Sequence, residues 1–124
     1  MPHYDQLSAE LGRVVPELRI PVETEKRWWK GEEPGQHVVF GNILSPFLIK
    51  ELQSDDRPEL LARAFSFLEE LAKSPDVLVR EVVQQSVLAN LCGEQHWSKR
   101  LNKLLGPESG RLMRSYCDAY HQAD

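Results

Sequence analysis

The chain has 124 residues, a formal net charge of −4 at pH 7, 41% hydrophobic residues and 27% charged residues. This length predicts one domain, and the composition is that of an ordinary globular protein, which excludes a disordered chain, a collagen-like fibre and a disulfide scaffold. The net negative charge does not indicate a nucleic-acid-binding protein. No apolar run is long enough to span a membrane, and the N-terminus does not resemble a signal peptide. We therefore expect a cytoplasmic protein.

The first third of the sequence combines a helical pattern with a segment rich in proline and glycine. Apolar spacing predicts a helix over residues 4–15, which ends before a proline. We expect a long ordered loop over residues 16–35, and loops of this length are often functional. Trp28 and Trp29 lie within it. Either one of them points outward as an anchor for a partner, or both cover the edge of the core.

Two segments in the middle of the chain have the apolar spacing of helices. The first covers residues 38–52, and Pro46 either kinks it or divides it into two helices. The second, over residues 56–73, has the strongest amphipathic pattern of the chain. Asp56 and Glu59 have the spacing of a capping box, which predicts that Asp56 caps this helix.

The remaining elements complete an all-α prediction. The valine-rich segment over residues 76–91 favours a strand by propensity alone, but its length without glycine or proline is that of a helix. Two further helices are predicted over residues 98–105 and 108–121. We therefore predict a single all-α domain over residues 1–124. The domain is expected to have five or six helices in an antiparallel stack, similar in outline to a short α-solenoid, with the helical core at 36–121.

Cysteine and histidine occur twice at helical spacing, as Cys92 with His96 and as Cys117 with His121. Two such pairs have the ligand types of a zinc site, but the intervening Gly93 is expected to end the helix between the first two ligands. A nucleophilic cysteine needs an exposed, electropositive position, and Cys117 lies on an apolar stripe. We interpret both cysteines as small buried apolar groups, and expect no metal, no cofactor and no catalysis.

Acidic side chains concentrate in the middle of the chain. Residues 36–81 hold eight acidic and five basic side chains, whereas residues 82–124 hold four acidic and five basic ones. A solvated helix face is one interpretation, and a docking surface for a basic protein is the other. On the second interpretation, the candidate partner-binding residues are Asp55, Asp56, Glu59, Glu69 and Glu70, followed by Trp28, Trp29, Glu32 and Glu33 of the predicted loop.

Two stretches resemble a family of small helical proteins. The first is LLARAFSFLEEL at 60–71, followed by SPD at 74–76 and a helix that ends in VLANL at 87–91. The second is LLGPES at 104–109, directly before the last helix. Both resemble immunity proteins encoded beside bacterial polymorphic toxins, of the contact-dependent growth inhibition and Rhs type, over residues 36–118. The resemblance implies stacked helices, no catalysis and a tight complex with one toxin domain. No particular binding residues carry over with it.

The sequence therefore predicts an immunity protein that binds and neutralises a toxin. The toxin is expected to be a basic, nuclease-like effector domain whose active site or substrate access is covered in the complex. The alternative is a helical adaptor that binds another protein or a peptide in a groove. An enzyme ranks third, and would require a buried polar pocket that brings His96 and Cys117 together with a carboxylate.

Overall fold

The computed structural model describes residues 3–28, 35–54, 56–92 and 98–121, and every regular element in those ranges is helical. The α-helices are α1 (Leu7–Val14), α2 (Arg19–Trp28), α3 (Gln36–Val39), α4 (Ser45–Ser54), α5 (Pro58–Ala72), α6 (Val77–Glu81), α7 (Ser98–Leu104) and α8 (Pro107–His121). Short 3₁₀ turns cover Tyr4–Gln6, Pro16–Leu18 and Leu88–Leu91, and two π-helical segments, π1 (Phe40–Leu44) and π2 (Val82–Val87), lie inside longer helical rods. The predicted all-α class is confirmed.

The predicted loop over residues 16–35 is wrong for much of its length, because it contains α2. Pro16 begins a 3₁₀ turn, and Pro21 is in the first turn of α2, where the amide hydrogen that proline lacks would have had no partner in the helix. Val22 is buried and holds this helix on the core. Residues 29–34 lie outside the described part of the chain, so a loop there stays a prediction.

Pro46 neither splits nor ends its helix, since α3, π1 and α4 form one continuous rod. A proline ring inside an α-helix collides with the carbonyl four residues earlier and removes one hydrogen bond. Here the wider turn of π1 ends at Leu44, two residues before Pro46, and the Ser45 amide donates to the Phe40 carbonyl five residues back. The π-helical turn thus provides the extra space that the proline ring needs.

The valine-rich segment is helical, as predicted, and runs through α6, π2 and the 3₁₀ turn that ends at Leu91. The Asp76 carboxylate caps this rod by accepting a hydrogen bond of 2.9 Å from the Leu78 amide. Val79 and Val82 are fully buried. Burial of this apolar face therefore outweighs the weak intrinsic helix propensity of valine.

Helix α5 lies at the centre of the fold, in contact with α1, α4, α6, α7, α8 and π2. The largest fully buried side chains of the core are Phe40, Phe65, Leu7, Leu11, Leu44, Leu48, Leu52, Leu61, Leu68, Leu71, Leu88 and Leu91. Burying one leucine or phenylalanine side chain contributes about 2 kcal/mol, so this core is the main favourable contribution to folding. Within the described ranges, no helix has the length and hydropathy that a bilayer crossing requires.

The beginning of α5 differs from the predicted capping box at Asp56 and Glu59. The helix begins at Pro58, the preceding Arg57 makes no side-chain cap, and Asp56 is exposed. Pro58 fixes this start because its backbone angle suits the first helical position. The Arg57 guanidinium instead donates two hydrogen bonds, of 3.0 and 2.6 Å, to the buried Glu51 carboxylate. These bonds hold the pKa of Glu51 below its ordinary value, against the opposing effect of burial.

The two cysteines form a disulfide, which corrects the interpretation of both as buried apolar groups with free thiols. Cys92 follows the rod that ends at Leu91, Cys117 lies on α8, and their Cα atoms are 5.9 Å apart. Both side chains are half-buried, and the bond ties α8 to the preceding rod across a sequence separation of 25. It also removes the thiols that a zinc site or a nucleophile would use. The side chains of His96 and His121 lie outside the described residues.

Candidate protein-binding surface

Glu69 is not on the surface, although the sequence placed it among the partner-binding residues. It is 9% exposed, and its carboxylate accepts hydrogen bonds from the Ser109 amide (2.8 Å), the Ser109 hydroxyl (2.9 Å) and the Glu108 amide (3.1 Å). These donors lie in the first turn of α8, where backbone amides have no acceptor within the helix. The prediction of an exposed Glu69 is therefore wrong, and the side chain instead holds α8 to α5.

The surroundings of Glu69 keep its carboxylate charged. Burial by itself would raise the pKa of Glu69, but the hydrogen bonds from Ser109 and Glu108 and the positive charge of Lys73 outweigh burial and lower it. Gly106 lies directly against this carboxylate, since a Cβ atom at position 106 would overlap the Glu69 side chain. Gly106, just before α8, thus packs against the Glu69 carboxylate, and the first turn of α8 provides the donors that bind it.

Three of the predicted acidic residues are exposed. Asp56 lies just before α5 and Glu59 in its first turn, and neither takes part in an ion pair within the described chain. Glu70 lies in the second half of α5 and is paired with Lys73 at 3.5 Å. The other predicted positions, for which binding stays a prediction, lie outside the described residues: Asp55, Trp29, Glu32 and Glu33.

A groove of about 400 Å³ runs between α1 and α5, and we call it the α1/α5 groove. Its lining residues are Glu10, Arg13, Val14, Arg63, Ser66, Phe67, Glu70 and Leu71. Phe67 and Leu71 are buried and Val14 is half-buried, whereas Arg13, Arg63 and Glu70 are exposed. The groove therefore has an apolar floor and a charged rim, which is the general anatomy of a protein interface.

Ion pairs neutralise the carboxylates around the groove. Glu10 contacts Arg13 at 2.7 Å, and Glu17 contacts Arg63 of α5 at 3.0 Å. The surface is therefore mixed in charge, and the counts of acidic residues overstated its negative potential. Exposed pairs of this kind contribute at most about 1 kcal/mol, so a partner can replace them with its own charges without a large loss.

Trp28 and Ile20 are the most exposed large apolar side chains of the described residues, with exposed fractions of 77% and 78%. Both belong to α2, where they are eight positions apart, which corresponds to about 12 Å along the helix axis. The alternative in which both tryptophans cover the core edge is thus wrong for Trp28. Exposed tryptophan is the residue type that most often dominates the binding energy of an interface.

A polar network joins the two rods that contain π1 and π2. The His37 Nδ1 atom lies 2.6 Å from the Ser86 hydroxyl, and the Ser86 carbonyl accepts hydrogen bonds from the Ser45 hydroxyl and the Asn90 side-chain amide. A serine beside a histidine resembles a nucleophile with its base, but such a nucleophile must also be reached by a substrate. Ser86 is 8% exposed, so we interpret this network as a structural contact between the rods.

Sequence reasoning missed the basic residues that line the surface cavities. Arg13 and Arg63 line the α1/α5 groove, and Arg19 and Lys26 line a second cavity between α1 and α2. The spacing of Arg19 and Lys26, seven positions apart, places both on one side of a helix and is the signal that could have found them. Within the described ranges, no three His, Cys, Asp or Glu side chains lie close enough together to hold a metal ion.

A family model matches nearly the whole chain. It describes a domain of unknown function, DUF7674, and it covers residues 8–122. No curated protein and no solved structure matches the chain.

Proposed function

The chain belongs to the DUF7674 family, and we propose that it acts by binding another protein. The observation that carries this proposal is the α1/α5 groove, with its apolar floor, its charged rim and its volume of about 400 Å³. Burial of apolar surface drives most protein association, and charges around it give specificity. Trp28 and Ile20 provide a second exposed apolar contact on α2, which packs beside α1.

The partner that we propose is a toxin domain of a bacterial polymorphic toxin system, with this chain as its immunity protein. The resemblance at residues 60–71 and 104–109 supports this identification. The net charge of −4 also supports it, because an acidic protein attracts a basic, nuclease-like toxin. Asp56 and Glu59 are exposed and without an ion pair in the described chain, so they are available to such a toxin. Neutralisation would follow from covering the active site or its access, with no catalysis by this chain.

A helical adaptor is the second candidate, and the same groove favours it. An amphipathic helix of a partner can lay its apolar side against the floor formed by Phe67, Leu71 and Val14. The two candidates differ in electrostatics, because capture of a basic toxin depends on the acidic positions and on salt, whereas a helix held by its apolar side depends on them weakly.

Ser66→Arg tests whether the groove is the binding site. Ser66 is exposed and lines the groove, so an arginine there obstructs a partner while the core stays intact. Immunity proteins of the type that this chain resembles are encoded beside their toxins, so the partner to test is the product of the neighbouring gene. We expect the affinity for it, measured by titration calorimetry, to fall at least about tenfold. Ser115→Arg introduces the same side chain at an exposed position of α8 outside the groove and should bind like the wild type. Equal affinity of the two variants would rule out the groove.

Reversing Asp56, Glu59 and Glu70 to lysine tests the electrostatic part of the proposal. We expect association with a basic toxin to slow roughly tenfold at low salt and to become less sensitive to ionic strength, because exposed charges act mainly on the association rate. All three side chains are exposed, so the melting temperature should change little. Stopped-flow fluorescence measures the rate. An association rate equal to that of the wild type would favour the adaptor over the immunity protein.

The disulfide bears on the compartment in which the chain works. Thiols are kept reduced in the cytosol, whereas disulfides persist in oxidising compartments. The Cys92–Cys117 bond would persist in an oxidising compartment, whereas a nuclease-like toxin would act in the cytoplasm, which is also the compartment expected from the sequence. Treating intact cells with a thiol-alkylating reagent before lysis distinguishes the two compartments. Two alkylated cysteines indicate the cytoplasm, and a disulfide-bonded, unmodified protein indicates an oxidising compartment.

A further inference from the structure

A second cavity, of about 260 Å³, lies between α1 and α2, and we call it the α1/α2 cleft. Ser8 and Gly12 of α1 line one side of it, and the buried Val22 of α2 lines the other. A Cβ atom at position 12 would meet nothing nearer than the Arg19 Cα atom at 3.9 Å, so the absence of a side chain at Gly12 leaves the cleft open. The cleft is distinct from the α1/α5 groove, although Arg13 lines both.

Three basic side chains surround the cleft, namely Arg13, Arg19 and Lys26. Arg13 is paired with Glu10, whereas neither Arg19 nor Lys26 has a carboxylate within 4.0 Å in the described part of the chain. Arg19 donates one hydrogen bond, of 3.4 Å, to the Gly12 carbonyl and keeps its other donors for a ligand. Two positive charges at the edge of the cleft are thus available to an anion.

The wall of the cleft holds a hydroxyl that none of the described residues binds. Ser8 is 7% exposed and lines the cleft, and its hydroxyl has no hydrogen-bond partner among the described residues. A buried polar group without a partner is destabilising, and a bound acceptor would offset that cost. The carboxylate of Glu23 also lines the cleft, and it is exposed at the edge.

We propose that the α1/α2 cleft binds a phosphate group. Arginine and lysine side chains together with a hydroxyl are the donors that phosphate oxygens accept from proteins. Ligand sites for drug-sized molecules occupy about 300–1,000 Å³, so a smaller cleft suits a compact anion. The phosphate is either free or the end of a larger molecule whose remainder stays outside. This inference stands apart from the proposed binding of a toxin.

Titration of the isotope-labelled protein with inorganic phosphate, at constant ionic strength, tests the proposal by NMR. We expect saturable chemical-shift changes confined to the amides of residues 8–13 and 19–26. Arg19→Gln and Lys26→Gln should each weaken phosphate binding roughly tenfold, since each removes a charged donor. Glu23→Gln should tighten binding, because it removes the negative charge that repels the anion.

Lys50→Gln is the matched control, because Lys50 is exposed on α4 away from the cleft. It should leave phosphate binding unchanged. Shifts that grow linearly without saturation, or an equal loss of binding in the control, would overturn the proposal. If Arg19→Gln or Lys26→Gln folds poorly, Glu23→Gln still tests the proposal. Phosphate binding by Glu23→Gln that is no tighter than that of the wild type would also overturn the proposal. Phosphoserine and a sugar phosphate are titrated in the same way. The compound that binds tighter than inorganic phosphate indicates the class of molecule that carries the phosphate group.

Discussion

Glu69→Gln is expected to lower the free energy of unfolding by roughly 3 kcal/mol, because it removes a buried charge that accepts three hydrogen bonds. Glutamine keeps one acceptor oxygen, and its NH2 group replaces the other, so it faces either the Glu108 amide or the Ser109 amide and hydroxyl with donor against donor. It also removes a negative charge from the positive end of the α8 dipole. Both effects weaken the junction between α5 and α8.

Urea unfolding measures this loss, and Glu70→Gln is its matched control. Glu70 is the next residue on α5, but it is exposed and forms only a surface pair with Lys73, so its replacement should cost less than about 0.5 kcal/mol. Gly106→Ala should destabilise in the same direction as Glu69→Gln, because its Cβ displaces the Glu69 carboxylate. Equal stability of the Glu69 and Glu70 variants would show that Glu69 does not hold α8.

The same contacts make the stability of the domain depend on pH. The pKa values of Glu69 and Glu51 both lie below the ordinary 4.5 in the folded protein. A group whose pKa is lowered by folding stabilises the protein above its unfolded pKa, and this contribution is lost as the pH falls through the folded pKa. We therefore expect the free energy of unfolding to decrease below pH 4.5, and the difference between the wild type and Glu69→Gln to shrink over the same range.

Replacing Cys92 and Cys117 by serine is expected to lower the free energy of unfolding by about 3 kcal/mol, because a cross-link over this sequence separation restricts the unfolded chain. For a domain of this size the melting temperature should fall by roughly 10 °C. The expected loss of stability therefore comes mainly from removing the cross-link. It does not come mainly from the packing of two small apolar side chains, which is the role that the sequence predicted for these cysteines.

A reducing agent provides the control for the cysteine variant. The wild type should melt under reducing conditions at the temperature of the serine variant, and the serine variant should not respond to the reductant. Partner binding should persist in both, since neither cysteine lines the α1/α5 groove. A wild type whose melting temperature is unchanged after complete reduction would contradict the stabilising role of this bond.

The helices were predictable from the sequence wherever one face of a segment is buried. The spacing of apolar residues in 56–73 and 76–91 is that of a helix with one buried face. Helix α5 and the valine-rich rod therefore begin and end close to the predicted residues. The prediction is wrong at α2, because proline breaks a helix only at interior positions. Pro21 lies in the first turn, where its missing amide hydrogen has no effect on the helix.

The candidate site was less predictable, because it depends on contacts between residues that are far apart in sequence. Glu69 borders the apolar stripe of α5 and Glu70 lies on its polar face, but the donors that bind the Glu69 carboxylate come from Glu108 and Ser109, about forty positions later in the sequence. Pairing of Cys92 with Cys117 depends in the same way on the position of α8. Trp28 is an exposed apolar side chain, as one of the two interpretations expected.

Growth of bacteria that express the product of the neighbouring gene, with and without this chain, tests directly whether the chain neutralises a toxin. We expect that the neighbouring product alone arrests growth, and that this chain restores growth and forms a stable complex with it. Ser66→Arg should lose both effects while Ser115→Arg keeps them. A chain that neither binds the neighbouring product nor restores growth would contradict the proposal that it neutralises a toxin by binding.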